Sequence, residues 1–507
     1  MKAITEPIKK ALYLKALCCV LLMCLFFTHQ AISQTLKVGV TEWTGYTNTD
    51  GTGVYLSMLR DAFPDYELEL QFNSYTRNLH HFNRGDVDMV IGVFREDVEN
   101  AMFPTWYLDI EYPVTVYFKK ASRKIESTSD LEGLVLGWLR GYDFDRYIDV
   151  AHKPYLLNST QRGFNLALKE RIDAFIDYEY NLPPAIADEL DSYVLLASRK
   201  TYVAFKNTPR SKKLIRAYDA RMQALRNSGK IEEYFGAEYP HTQFAYFNPS
   251  KPQIIVKTRD INLLRKKTID SSDSLESTVL KTVLSQLPDF DVEVIKYDTF
   301  EQDKAVAQGE ENVCFANKVK TAERVQHFTF SEPFTMYPGL RLYLTTPLTL
   351  ESSEKLHLFD FVEQQNATLG IVPGQHYSAS LNDTIAKLPK AAIYETTPDV
   401  LTQLAQLKKG LYDAKIEYPE VIAKRWPLIS DKPIFSYPLQ GASAFTLGHL
   451  MCTPSVLTQS FIEAFNRRLA LFKNAKTFKA IHRLGAQEIS EDEFNHLFNK
   501  AYGIDEN

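Results

Sequence analysis

One stretch of this chain is written twice. Ala62-Phe63-Pro64-Asp65-Tyr66-Glu67-Leu68-Glu69-Leu70 returns as Gln286-Leu287-Pro288-Asp289-Phe290-Asp291-Val292-Glu293-Val294. The shared pattern is Pro-Asp-aromatic-acid-apolar-Glu-apolar, and Pro64 to Pro288 is a displacement of 224 positions. Gly85 answers to Gly309 at the same displacement, and Tyr112-Pro113 to Tyr337-Pro338 at 225. Gly137 and Gly141 then match Gly370 and Gly374 at 233, Asp173-Ala174 matches Asp413-Ala414 at 240, and Thr208-Pro209 matches Thr453-Pro454 at 245. Collinear landmarks with a slowly growing displacement mean one fold repeated, with small insertions in the second copy. Each copy is long enough to bury a core of its own, unlike a solenoid repeat.

The local pattern of each copy is α/β. Leu36–Val40 reads as a strand, Thr41–Tyr46 as a loop, and Val54, Tyr55, Met58, Leu59, Ala62 and Phe63 recur at helical spacing. Glu67–Phe72 alternates as a second strand, a helix ends near Gly85, and Val87–Val93 is a buried third strand. A βαβαβ order favours a parallel sheet covered by helices, with ligands beyond the carboxyl ends of the strands. That places Trp43, Tyr46 and the Phe94-Arg95 loop at a cleft rim, with Tyr75 before the second helix placed to face the same cleft. Val114–Phe118 reads as an extended crossing segment, Gly141 as a turn opening a helix, and Ala174–Asp177 as a strand ending in a carboxylate. Thr208-Pro209 starts a long helix, because proline suits the first helical turn.

The N-terminus reads as a secretory signal. Lys9, Lys10 and Lys15 precede an apolar run from Ala16 to Phe27, and Ala31-Ile32-Ser33 supplies small residues before Gln34. That run is short for a hydrocarbon layer of roughly 30 Å; an uncleaved anchor is the alternative. The expected domains are therefore a signal peptide at 1–33, a first domain at 34–245 with its second lobe at about 119–201, a linker at 246–252, and a second domain at 253–507 with its second lobe at about 345–443. Cys18, Cys19 and Cys24 lie in the signal, which leaves Cys314 and Cys452. These could pair in an oxidising compartment, but two buried thiols are the equal or better reading. Net charge is −5 with no basic stripe, so nucleic acid is not suggested. No zinc or calcium-loop spacing, nucleophile elbow, P-loop or dinucleotide fingerprint stands out, so no metal or cofactor is expected.

Lys320-Thr321-Ala322-Glu323-Arg324, followed by Phe330-Ser331-Glu332-Pro333-Phe334, resembles the Thr-x-Glu-Arg and Phe-Ser-Glu/Asp-Pro-Tyr signature of family 3 solute-binding proteins. Asp173-Ala174-Phe175-Ile176-Asp177 is similar to that family's Asp-Ala-x-x-x-Asp strand, and Gly141 and Gly374 fall at its glycine turn. The resemblance implies two tandem type II periplasmic-binding-protein-like modules, each of two α/β lobes joined by two crossing strands and closing on a ligand. It also implies that Arg324 grips a carboxylate, that amides after the glycine turn help, and that Asp177 takes an ammonium. Neither copy is intact: the second has Glu417 where aspartate is usual and Thr258-Arg259-Asp260 where aromatics are expected, and the first has Glu99 or Asn100 opposite Arg324, with Arg95 in reach as a substitute. The first copy, with Trp43, Tyr46, Arg95 and Asp177, is the expected ligand cleft. The implied function is a non-enzymatic periplasmic protein that captures a small polar solute for a membrane transporter. The alternative is a sensory or accessory module acting through a separate membrane partner.

Overall fold

The computed structural model describes residues 34–504, apart from 149, 266–268, 270–272, 298–305, 307–308, 349–354, 376, 398 and 487–488. The expected signal peptide lies outside the described residues.

Each copy contributes eleven strands among the described residues. In the first they are β1 Gln34–Val40, β2 Tyr66–Phe72, β3 Met89–Val93, β4 Ala101–Met102, β5 Asp109–Glu111, β6 Val114–Lys119, β7 Val135–Leu139, β8 Lys153–Leu157, β9 Ala174–Tyr178, β10 Leu190–Leu196 and β11 Arg199–Lys206. In the second they are β12 Gln253–Thr258, β13 Asp291–Lys296, β14 Val313–Lys318, β15 Thr329–Phe330, β16 Thr335–Pro338, β17 Arg341–Leu344, β18 Leu369–Ile371, β19 Ile393–Glu395, β20 Ala414–Glu417, β21 Phe435–Pro438 and β22 Phe445–Cys452. The first copy forms a sheet in the order β2-β1-β3-β11-β4, with β5 also on β11, and a sheet in the order β10-β6-β9-β7-β8. Adding eleven to every label gives the first of these sheets again in the second copy, β13-β12-β14-β22-β15 with β16 also on β22. The second copy's other sheet runs β19-β18-β20-β17-β21, which keeps the same core of β17, β20, β18 and β19 and pairs β21 with β17 as β10 pairs with β6. This strand-for-strand identity makes the chain two tandem modules, each with two α/β sheets. In both, the chain enters the second sheet after a short strand (β5, β16) and returns along a long one (β11, β22). Val114–Phe118, read as a crossing segment, is a full strand of the second sheet.

The patterns that predict these elements are the ones that bury them. Val54–Ala62 is a helix whose buried face is Tyr55, Leu56, Met58, Leu59 and Ala62. Pro209 opens the helix Pro209–Asn227, and Thr208 caps it by accepting from the Ser211 amide. Gly141 does take a turn conformation at φ 97°, but the element after it is one 3₁₀ turn, Phe144–Tyr147, and not the expected helix. Phe144 and Tyr147 point into the lobe's core, which fixes that turn by burial.

Contacts divide the chain into two compact units. One holds the residues up to Ile91 with Ala101–Pro104 and Val203–Tyr239, and is the first lobe of the first copy. The other holds Gly92–Asn100, Thr105–Tyr202 and Pro240–Asn507, so the first copy's second lobe packs with the second copy. Ile261 and Leu264 of the second copy sit in one core with Val116, Leu136, Trp138 and Ile176 of the first. Phe247, in the expected linker, lies edge-on to Trp106 and Tyr107 at 5.0 and 4.9 Å. Cys314 and Cys452 face each other across β14 and β22 and form a disulfide, against the reading as free thiols.

Candidate functional site

In the first copy's first lobe the expected aromatic loop is held from inside. The Thr47 hydroxyl accepts from the Trp43 amide at 2.9 Å and donates to the Thr41 carbonyl at 2.6 Å. Gly53 permits this fold: at φ 121° a Cβ there would stand 2.3 Å from the Tyr46 carbonyl oxygen. Trp43 meets Tyr75 with ring centroids 6.3 Å apart, whereas Tyr46 packs on Tyr55 of its own lobe at 4.9 Å.

Arg95 does not stand ready for a ligand. Its Nε donates to Glu293 at 2.9 Å, its guanidinium lies 4.1 Å from the Tyr202 ring centre, and its side chain is only 7% exposed. Asp177 is fully buried and accepts from Thr160 Oγ1 at 3.1 Å, Asn181 Nδ2 at 2.9 Å and the Tyr178 amide at 2.8 Å. Burial raises its carboxyl above the ordinary range, and those three donors pull it back. It therefore fastens the end of β9 to the helix Thr160–Leu168. Gly141 is followed by no α-helix, so no row of helix-start amides gathers there for an anion.

A carboxylate that the motifs did not single out stands nearby. Glu111 is pushed up to about 7, by burial first and then by the charge of Asp109. Its side chain accepts from the Tyr112 amide at 3.3 Å. Tyr112-Pro113 aligns with Tyr337-Pro338, so the second copy has buried Met336 at this position. The fold thus does not require a charge here. A carboxyl raised from 4.5 to about 7 favours the folded state below pH about 4.5, and that advantage is lost as pH rises through about 7. Glu111→Gln should flatten this fall, which is on the order of 3 kcal/mol. Melting temperatures of parent and variant at pH about 5 and 8 check it: the gap between the two pH values should shrink in the variant.

The second copy's two lobes lie in one unit, and its described candidate residues can be placed together. Arg324 sits in the short helix Ala322–Val325, capped by Thr321, and its Nη1 donates to the Val319 carbonyl at 2.9 Å. Beside it Lys318 ends β14, with its ammonium 4.7 Å from the Tyr297 ring centre. Burial first, then Arg324 and Arg259, push this lysine down to about 7. Thr258 Oγ1 donates to buried Glu276 at 2.7 Å. Burial and the neighbouring Asp260 push Glu276 up to about 7. Asn317 donates to the Tyr337 hydroxyl at 3.0 Å and accepts from Thr335 at 2.7 Å.

From the second lobe, Glu417 ends β20 and pairs with Lys415 at 3.2 Å, with side-chain exposures of 7% and 1%. The next residue, Tyr418, reaches the strands joining the lobes: its hydroxyl donates to Thr446 at 3.3 Å and its ring lies 6.1 Å from Tyr337. Gly374 takes φ 78° and is followed by the helix Ala379–Lys387, whose cap Ser378 already accepts from the Leu381 amide at 3.1 Å. Lys318 and Glu276 were not singled out by the motifs. The repeat held a signal for the lysine, since the strand registers align Lys318 with Val93, a buried apolar position.

No family model and no curated protein matches the chain in sequence. Solved structures do overlap with it. The periplasmic domain of BvgS from B. pertussis aligns over 92% of this chain and 94% of its own, at 16% identity and a TM-score of 0.34. An amino acid ABC transporter substrate-binding protein from Streptococcus pneumoniae, AbpA bound to L-arginine, covers 41% of this chain and 95% of its own, at 18% identity and a TM-score of 0.33. The glutathione-import structure from Streptococcus mutans covers 42% of this chain and 97% of its own, at 15% identity and 0.33. The fold assignment here rests on strand order.

Proposed function

We propose that this protein is an exported solute-binding protein that captures a small polar solute for a membrane partner, a transporter in the first reading, and that the second copy holds the working cleft. The observation that carries this is Lys318, a largely buried lysine at the end of β14 with no ion-pair partner among the described residues. In the first copy, Arg95 and Asp177 are committed to internal contacts, which argues against the ligand roles expected of them. Trp43 and Tyr75, whose rings meet, stay as ligand candidates on the first copy's first lobe. Among the described residues no helix is long and apolar enough to cross a membrane. No group of three or more metal-ligating side chains occurs among them either.

A second reading, a sensory or accessory module, is favoured by one observation. The two copies are joined by buried polar contacts, not by a loose tether: Lys200 of β11 pairs with Asp291 of β13 at 2.8 Å, beside the Arg95–Glu293 pair. Such a joint suits a protein in which one module reports to the other.

A thermal-shift screen of the purified protein tests solute binding. Amino acids, short peptides, organic acids, inorganic oxyanions and sugars are each supplied in excess. A ligand at about 100 times its dissociation constant should stabilise the folded state by roughly 2.7 kcal/mol. No shift with any class rejects the solute-binding reading in favour of traps that work by docking alone.

A further inference from the structure

The floor of the second cleft carries positive charge that the fold does not use. Lys318 meets only a ring face, that of Tyr297, and among the described residues no carboxylate comes within ion-pair distance of it. The carboxylates in the neighbourhood are already supplied with donors. Glu276 accepts from Thr258, and Asp260 accepts from the Asn262 amide at 3.1 Å and from Ser274. Arg324 and Arg259, of its own sign, add to the cost of burying Lys318, and the Glu276 carboxylate, beyond ion-pair distance, offsets only part of it. A buried, unpaired ammonium is destabilising in a protein interior. The first copy, with the same strand order, places Val93 at this position at no such cost. A charge kept where the fold would accept valine points to a ligand that completes it.

The sign of that ligand is set by the opposite wall. An amino acid needs an acceptor for its ammonium, which the resemblance would place at Glu417. That carboxylate is buried against Lys415, and its Oε1 accepts from the Tyr418 amide at 2.9 Å. Charge open to a ligand is thus positive on one wall, while the acceptor expected on the other is already paired. We propose that the second cleft takes a small organic anion without an ammonium group, a carboxylate or a like oxyanion, with Lys318 donating to it. The assignment rests on the solute-binding reading above and narrows it. Lysine suits the task as a compact donor on a flexible stem, and an anion beside it would relieve the repulsion from both arginines.

The test is titration of the purified protein with acetate, succinate, benzoate and phosphate, and in parallel with glycine, arginine and glucose, followed by melting temperature and calorimetry. One or more anions should bind, and Lys318→Met should weaken that binding at least tenfold. The same variant, without ligand, should melt at or above the parent temperature, because a desolvated charge is gone; a merely structural lysine would show the reverse. Lys318→Arg should keep the preference for anions, and it carries the test should the methionine variant fail to fold. Binding of an anion that Lys318→Met leaves unchanged overturns the role of Lys318. Binding of glycine, arginine or glucose in place of the anions overturns the anion assignment and leaves the solute-binding reading standing. No binding by any probe overturns both.

Discussion

Glu293→Ala should lower the stability of the unit that holds the second copy and the first copy's second lobe by about 3–5 kcal/mol, the usual cost of leaving one partner of a buried pair without the other. Glu293 belongs to β13 of the second copy, and its Oε2 accepts from Arg95 Nε at 2.9 Å and from the Tyr202 hydroxyl at 2.6 Å, both of the first. Burial works against the Arg95 charge, but Tyr202 and Glu293 outweigh it and hold the guanidinium firmly protonated. Alanine removes this carboxylate from a guanidinium that cannot neutralise itself, so the charge stays buried. Lys200–Asp291, at the start of the same strand, is about one-fifth exposed on each side and should cost less when broken. Urea unfolding of Glu293→Ala, Glu293→Gln and exposed Glu323→Ala reads the effect. The alanine variant should lose most, glutamine less because it still accepts a hydrogen bond, and the Glu323 control should stay within about 0.5 kcal/mol. An alanine variant as stable as the control would mean that the joint between the copies is held by the apolar contacts of Ile261 and Leu264 and not by this pair.

That joint marks the limit of what the sequence discloses. The repeat is legible because Pro64 and Pro288 stand at the same corner of each copy, and a periodic core forces the same alternation in β2 and β13. The helix start at Thr208 is legible because capping is local. Arg95 misleads because its partner is 198 positions away, and nothing around Phe94-Arg95 records that Glu293 will meet it. Asp177 misleads for a nearer reason: Thr160, Asn181 and the Tyr178 amide are close in sequence, but their donors converge only once the strand and helix are placed. Lys318 and Glu111 are within reach of the sequence, since comparing the copies position by position sets each against an apolar residue, Val93 and Met336. A motif asks whether a known residue type is present. Comparison of the copies asks where one departs from a fold that both satisfy, which is the better guide when, as here, neither copy keeps the full pattern.

Removing the disulfide should cost the second copy about 2–5 kcal/mol without changing its fold. Cys314 and Cys452 are opposed residues on adjacent strands, fully buried, and 138 positions apart. The link closes a loop that contains the whole second lobe of that copy, so in the unfolded chain it forbids a large set of conformations; in the chain-entropy account a loop of about 100 residues is worth about 4.7 kcal/mol. The fold should survive because its topology does not depend on the link. The strand registers align Cys314 with Met89 of the first copy, whose sheet has the same strand order with a thioether at that place. Cys314→Ala/Cys452→Ala should therefore give the same circular dichroism spectrum with a lower melting temperature. Reductant should lower the melting temperature of the parent towards that of the variant and leave the variant where it is. Non-reducing peptide mapping of the parent should recover the two cysteines in one linked peptide. A double variant as stable as the oxidised parent would show that strand pairing and the surrounding core, Val256, Phe461 and Phe465 among it, already hold these strands together. The bond would then be a consequence of strand pairing under oxidising conditions and not a brace.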